Sequence, residues 1–136
     1  MELSKRDIER LKGVHPALIS VVKKCAELST KNYFIVTEGL RTVERQKELV
    51  AKGFSQTMNS KHITGHAVDL AVWFDKDLDK VVDADELSWK FEFYKELSDV
   101  MKKAAKEVGV DIEWGGDWTS FKDGPHFQIN PNKYKF

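Results

Sequence analysis

Ala67-Val68-Asp69-Leu70-Ala71-Val72-Trp73 alternates two sets of side chains. Val68, Leu70 and Val72 fall on one face, and Ala67, Asp69, Ala71 and Trp73 on the other. The period of two predicts a strand with an apolar face for a core. On its second face a carboxylate stands between two small neighbours, which leave room beside it. Immediately upstream, Ser60-Lys61-His62-Ile63-Thr64-Gly65-His66 has no clear periodicity, so residues 54–66 are read as a loop running into this strand. Gly65 permits a sharp turn that can aim His62 and Asp69 at one point.

Outward from this strand, helical and extended patterns alternate irregularly. Ser4 and Asp7 resemble a capping box opening a short helix through about Leu11. Pro16, with Leu18, Ile19, Val22 and Ala26 at helical spacing, predicts an amphipathic helix over 16–29. Cys25 lies on it and is expected to be a small buried apolar side chain. Tyr33-Phe34-Ile35-Val36-Thr37 reads as a strand, and Thr42 caps a helix from Val43 to Lys52 that Gly53 stops. After an Asp-rich loop at 75–86, Phe91, Tyr94, Leu97, Met101, Ala104 and Val108 mark a long helix over 88–108. Two short strands, Asp111–Trp114 and Pro125–Ile129, complete the pattern. The fold class expected is α+β: a small, mainly antiparallel sheet packed against several helices.

Composition bounds the function. With 136 residues, one domain over 1–136 is expected. Lys plus Arg equal Asp plus Glu at 22 each, which removes the basic footprint of a nucleic-acid binder. The 41% apolar content, with eight Phe and four Trp, excludes a disordered chain. A single cysteine excludes an internal disulfide and a multi-cysteine zinc knuckle. The opening residues Met1–Asp7 have no apolar run of a secretory signal, and no stretch is apolar enough for membrane insertion. A cytosolic, monomeric protein is expected.

The chemistry concentrates in two segments, Ser60–Asp69 and Asp123-Gly124-Pro125-His126-Phe127. Two imidazoles and a carboxylate, here His62, His126 and Asp69, are a common ligand set for catalytic zinc with a fourth position left to water. Asp123, three residues before His126, can share such a site without ligating, where a carboxylate takes a proton from water and passes it to a leaving amine. His66 in place of His126, or loop residues that merely cap and hydrogen-bond, remain alternatives. The His62/His66 spacing mimics the helical zincin pair, but Ile63 stands where that motif needs Glu and Gly65 breaks the helix. His15 has no partner nearby in sequence and reads as a surface residue. In the acidic loop, Asp75, Asp77, Asp79, Asp83 and Glu86 occupy ligand positions of an EF-hand-like Ca²⁺ loop. Lys80 replaces its required glycine, so a solvated acidic loop is the alternative.

These segments fit S-x-H-x-x-G-x-A-x-D and D-x-x-H, and in this the chain resembles the LAS-type zinc peptidases. That group includes the VanY-like D-Ala-D-Ala carboxypeptidases and the phage L-alanyl-D-glutamate peptidases. Gly39-Leu40-Arg41-Thr42 followed by Gln46 is similar to the family's G-x-R-[ST]-x-x-x-Q element, and Trp114-Gly115-Gly116-Asp117-Trp118 to its W-G-G-x-W segment. Order and spacing of all four elements match over residues 39–128. The resemblance implies that His62, Asp69 and His126 bind Zn²⁺ and that Asp123 is general base and then acid. It further implies that Arg41 stabilises the oxyanion, that Ser60 and Gln46 hydrogen-bond substrate, and that Trp114 and Trp118 wall the cleft; a core role for Trp114, and plain loop and helix-surface roles for Ser60 and Gln46, are the alternatives. The implied function is an endolysin cutting the L-alanyl–D-glutamate bond of the peptidoglycan stem peptide. It would be held in the host cytoplasm until a holin opens the membrane. A D-Ala-D-Ala carboxypeptidase and a non-catalytic wall-binding module are the competing expectations.

Overall fold

A computed structural model describes residues 1–29, 33–55, 60–75, 82, 84–120 and 122–136. Their elements are α1 (Lys5–Arg10), α2 (Pro16–Leu28), β1 (Tyr33–Glu38), α3 (Val43–Ala51), β2 (Ala67–Trp73), β3 (Leu87–Ser88), α4 (Phe91–Val108), β4 (Glu113–Trp114) and β5 (His126–Gln128). The strands form one antiparallel sheet in the order β1-β2-β5-β4, with β3 also paired to β2. The α+β class and the small antiparallel sheet are as the alternation around Asp69 predicts.

Local chemistry sets the helix ends. Ser4 and Asp7 form the reciprocal capping box of α1. The other oxygen of Asp7 accepts from the Val36 backbone N–H at 2.9 Å, which ties α1 to β1 through a buried carboxylate. His15 caps α2 by accepting from the Ala17 N–H at 3.0 Å, and Thr42 caps α3 by accepting from Arg45. The long helix starts at Phe91, the first residue of its apolar stripe and three residues later than the expected start at Ser88. Leu87 and Ser88 are instead drawn into β3, opposite Trp73 and Val72. The Tyr94 hydroxyl locks this edge, donating to the Ser88 carbonyl at 2.7 Å and accepting from the Val72 N–H at 3.1 Å.

The two faces of β2 divide the molecule. Val68, Leu70 and Val72, with Phe34, Val36 and Phe127 beside them, pack against Leu18, Val21 and Val22 of α2 and Leu97 and Met101 of α4. Each such fully buried aliphatic side chain stabilises the fold by roughly 1.5–3 kcal/mol. Cys25 lies in this core, fully buried, and burial pushes its thiol up to about 12. The thiolate fraction at neutral pH is therefore negligible. A thiol reagent such as Ellman's is expected to react with the native protein at least ~100-fold more slowly than with the unfolded chain. Comparable rates in the two states would place Cys25 at the surface.

The opposite face carries Asp69, with His126 directly across on β5 and Glu38 across on β1. Glu38 reaches that face because a bulge between Val36 and Glu38 shifts the register by one residue. Among the described residues no helix is long and apolar enough to cross a membrane.

Candidate metal centre and active-site cleft

Strand pairing brings the metal candidates together. Asp69 and His126 face each other across β2 and β5, and His62 arrives from the turn that Gly65 (φ 75°) closes. One Asp69 oxygen lies 3.2 Å from His62 Nε2 and 3.3 Å from His126 Nδ1, and one ligand atom from each residue falls within 4.8 Å of the others.

The hydrogen bonds behind the rings fix what they present. His62 Nδ1 lies 2.9 Å from the Gly39 carbonyl, which can only accept, so that nitrogen carries the proton and Nε2 offers a lone pair. Gln128 donates its amide N–H to Glu113 at 2.9 Å, which turns its carbonyl oxygen toward His126 Nε2 at 2.7 Å. His126 therefore donates there and presents a bare Nδ1. Two imidazole lone pairs and a carboxylate converge, an arrangement that repels itself without a cation. The donor set fits a divalent transition metal. When those two nitrogens carry protons in place of a cation, burial still pushes the Asp69 carboxyl upward, but hydrogen bonds and charge from His126 and His62 outweigh it and hold it well below the usual carboxylate range. In that protonated state burial pulls His126 down, but Asp69, Gln128 and Asp123 overcome it and raise the ring above its ordinary value.

The three residues stand in a cleft of about 750 Å³ whose lining includes Glu38, Arg41, Ser60, Lys61, Trp118 and Asp123. Asp123 is half-buried, and burial followed by the Asp69 charge raises its pKa against the pull of His126, His62 and Arg41. A carboxylate raised in this way is a better proton acceptor near neutral pH than an exposed one. Arg41 is buried and held in a fork by Glu38, with Nε and Nη2 each donating at 2.7 Å, while Nη1 donates to Gln46 at 2.8 Å. Its remaining contacts are long: 3.4 Å from Nη1 to the Ser60 hydroxyl and 3.6 Å from Nη2 to Asp69. Those N–H groups are the ones a substrate oxygen can engage.

Other sequence expectations are corrected by burial. Gln46 is fully buried beneath Arg41, its carbonyl oxygen accepting from Arg41 and its amide donating to Ser55 at 2.8 Å, so it holds the guanidinium and does not touch the cleft. Trp114 belongs to the core and not to the cleft wall. It donates through Nε1 to the Gly124 carbonyl at 2.7 Å and so anchors the turn that carries Asp123. Trp118 does line the cleft, with its ring 5.2 Å from that of His126. Ser60 lines it too, accepting from the His62 N–H at 3.2 Å.

His66 is engaged at both nitrogens, by the Thr64 hydroxyl and the Tyr134 carbonyl, and is not one of the converging ligands. Nor is His15 an isolated surface residue: besides capping α2, its ring packs 5.4 Å from His66 and 4.8 Å from Phe136. Of the calcium candidates, Asp77, Asp79 and Asp83 lie outside the described residues. Asp75 follows β2, and Glu86 is buried at the end of the 3-10 turn Ala84–Glu86.

The pattern of single residues misses two members of the site. Gln128 is readable in principle, since it stands two residues beyond His126 on a strand and shares its face. Glu38 is not, because regular alternation would put it on the core face.

Comparisons with known proteins give the family. The model of the family described as phage L-alanyl-D-glutamate peptidase matches residues 1–129. The L-alanyl-D-glutamate peptidase of Escherichia phage T5 is 30% identical over 98% of this chain and 92% of its own length. That of Listeria phage A118 is 35% identical over 74% of this chain. The match spans only 31% of the Listeria phage protein's length. The crystal structure of the Serratia marcescens L-Ala D-Glu endopeptidase ChiX superposes with a TM-score of 0.83 at 40% identity, covering 98% of this chain and 93% of that one. Sequence and fold thus point the same way, and the chain belongs to the phage L-alanyl-D-glutamate peptidase family.

Proposed function

We propose that this chain is a zinc-dependent endopeptidase that hydrolyses the L-alanyl–D-glutamate bond of peptidoglycan stem peptides. Residues 1–136 would act as one catalytic domain and as a monomer. The observation that carries the reading is the convergence of two imidazole lone pairs and a carboxylate in a cleft that also holds a raised carboxylate. It is supported by family membership. His62, Asp69 and His126 would hold Zn²⁺, which when bound supplies Lewis acidity toward the scissile carbonyl and lowers the pKa of water.

The remaining work falls to side chains of the chain. Asp123 accepts the proton of the attacking water and returns it to the departing D-glutamate amine. Arg41 directs its two loosely engaged N–H groups at the oxygen on which negative charge develops. Glu38 and Gln46 keep that guanidinium in place, and the Glu113–Gln128 pair keeps His126 in the tautomer that ligates. Ser60 and Trp118 contact the peptide. The enzyme would serve host lysis, retained in the host cytoplasm until a holin opens the membrane.

Digestion of purified sacculi followed by mass spectrometry of the muropeptides tests the bond directly. New amino-terminal D-glutamate is expected. Free D-alanine as the product would make the enzyme a carboxypeptidase instead. Chelation with EDTA is expected to reduce turnover at least ~100-fold, with stoichiometric Zn²⁺ restoring it. Full activity of metal-free protein would refute the zinc reading.

A further inference from the structure

Among the described residues two cations line the cleft, and their surroundings differ. Arg41 is neutralised by the Glu38 fork, and its spare N–H groups lie toward Ser60 and Asp69. Lys61 has no such partner: among the described residues, no hydrogen bond or ion pair engages its ammonium. Its backbone is nevertheless fixed, the carbonyl accepting from the His66 N–H at 2.9 Å and from the Thr64 hydroxyl at 3.2 Å. The half-buried side chain lies between Ser60 and metal-facing His62. It also borders an adjoining polar cavity of about 290 Å³ lined by Glu113, Gln128 and Asn130. Both polar ends of Gln128 are bonded, and Asp69 and Asp123 are themselves acidic.

The substrate proposed above carries two places for a cation. One is the scissile carbonyl oxygen. The other follows from the linkage of the stem peptide: D-glutamate continues the chain through its γ-carboxyl, so its α-carboxylate is free, on the carbon that bears the scissile nitrogen. Arg41, already paired and buried, suits the oxygen, whose charge appears only during reaction. An unpaired ammonium suits a charge present throughout.

We propose that Lys61 is a specificity-determining residue, binding the free α-carboxylate of the D-glutamate and so selecting stem peptides in which that carboxyl is not amidated. This rests on the proposed function and adds a substrate class to it: the acid form over the D-isoglutamine form.

The test uses two purified disaccharide-tripeptides that differ only in whether the α-carboxyl of D-glutamate is free or amidated. The zinc-loaded full chain and its Lys61→Met and Lys61→Arg variants are assayed on both. The wild type is expected to favour the acid by roughly 10- to 100-fold in kcat/KM, the range of a charge-assisted contact. Lys61→Met is expected to bring that ratio near one, chiefly by raising KM for the acid, whereas Lys61→Arg keeps most of it. A wild-type ratio near one overturns the proposal, and so does a Lys61→Met enzyme that retains the wild-type preference. If the wild type cuts neither compound at the L-alanyl–D-glutamate bond, the proposed function itself falls and the role of Lys61 with it. Cutting both equally removes only the latter.

Discussion

The Asp123→Ala protein is expected to bind one Zn²⁺ per chain and to have lost peptidoglycan cleavage by roughly 10²–10⁴-fold in kcat, the usual contribution of a positioned general acid–base group. The separation of the two properties follows from the geometry. Asp123 lines the cleft but is not among the atoms that converge within 4.8 Å, so its removal leaves two imidazoles and a carboxylate in place. Its pKa is raised by burial and by Asp69, the setting in which a carboxylate accepts a proton near neutrality and releases it again. His62→Ala supplies the contrast. It deletes a ligand and leaves the buried Gly39 carbonyl without its donor, and both metal content and turnover should fall together. Metal analysis of the purified variants beside a turbidity assay on permeabilised cells reads both quantities. An Asp123→Ala enzyme of wild-type activity would remove this residue from the mechanism.

The second large effect concerns the turn between the first two ligands. Gly65 has φ of 75°, and a Cβ there would stand 2.4 Å from the Gly13 carbonyl oxygen. Its own carbonyl accepts from the His15 N–H at 2.8 Å, so the turn is pinned against the start of α2 and cannot simply move away. Gly65→Ala is therefore expected to destabilise the protein by about 3 kcal/mol or more, a fall in Tm on the order of 10 °C, and to weaken metal binding. Gly53→Ala is the control. Its φ is 78°, but no atom of the described residues lies within 4 Å of the added carbon, so only the backbone preference of about 1–2 kcal/mol is lost. Thermal unfolding of the two variants separates steric conflict from conformational preference, and equal losses would show that the contact with Gly13 is unimportant.

Much of this was legible in the amino-acid sequence, for reasons that can be stated residue by residue. Val68, Leu70 and Val72 alternate with Asp69 because a strand has two faces, and the capping residues Ser4 and Thr42 announce helix starts through chemistry local to a few positions. The grouping of His62, Asp69 and His126 is non-local. Composition and spacing left it open against His66, and only strand pairing in space brings His126 opposite Asp69. Burial was least readable. Gln46 and Trp114 sit in motifs that surround the cleft, yet one lies under Arg41 and the other supports the Asp123 turn from the core side. The expected helix starts early, at Ser88, because helical periodicity cannot register an edge strand of two residues held by the hydroxyl of Tyr94.

The bulge in β1 carries a consequence of a different kind. Strand parity is binary, so one surplus residue inverts the assignment of everything beyond it. Thr37 is that surplus, and through it Glu38 faces the cleft where it grips Arg41. Shortening the strand by one position would reverse this inversion and turn a carboxylate toward the hydrophobic layer, although every functional side chain remained in the chain. The arginine is thus controlled by a count of residues as well as by their identities. Among relatives of this protein, insertions and deletions between Val36 and Arg41 should be rarer than substitutions there.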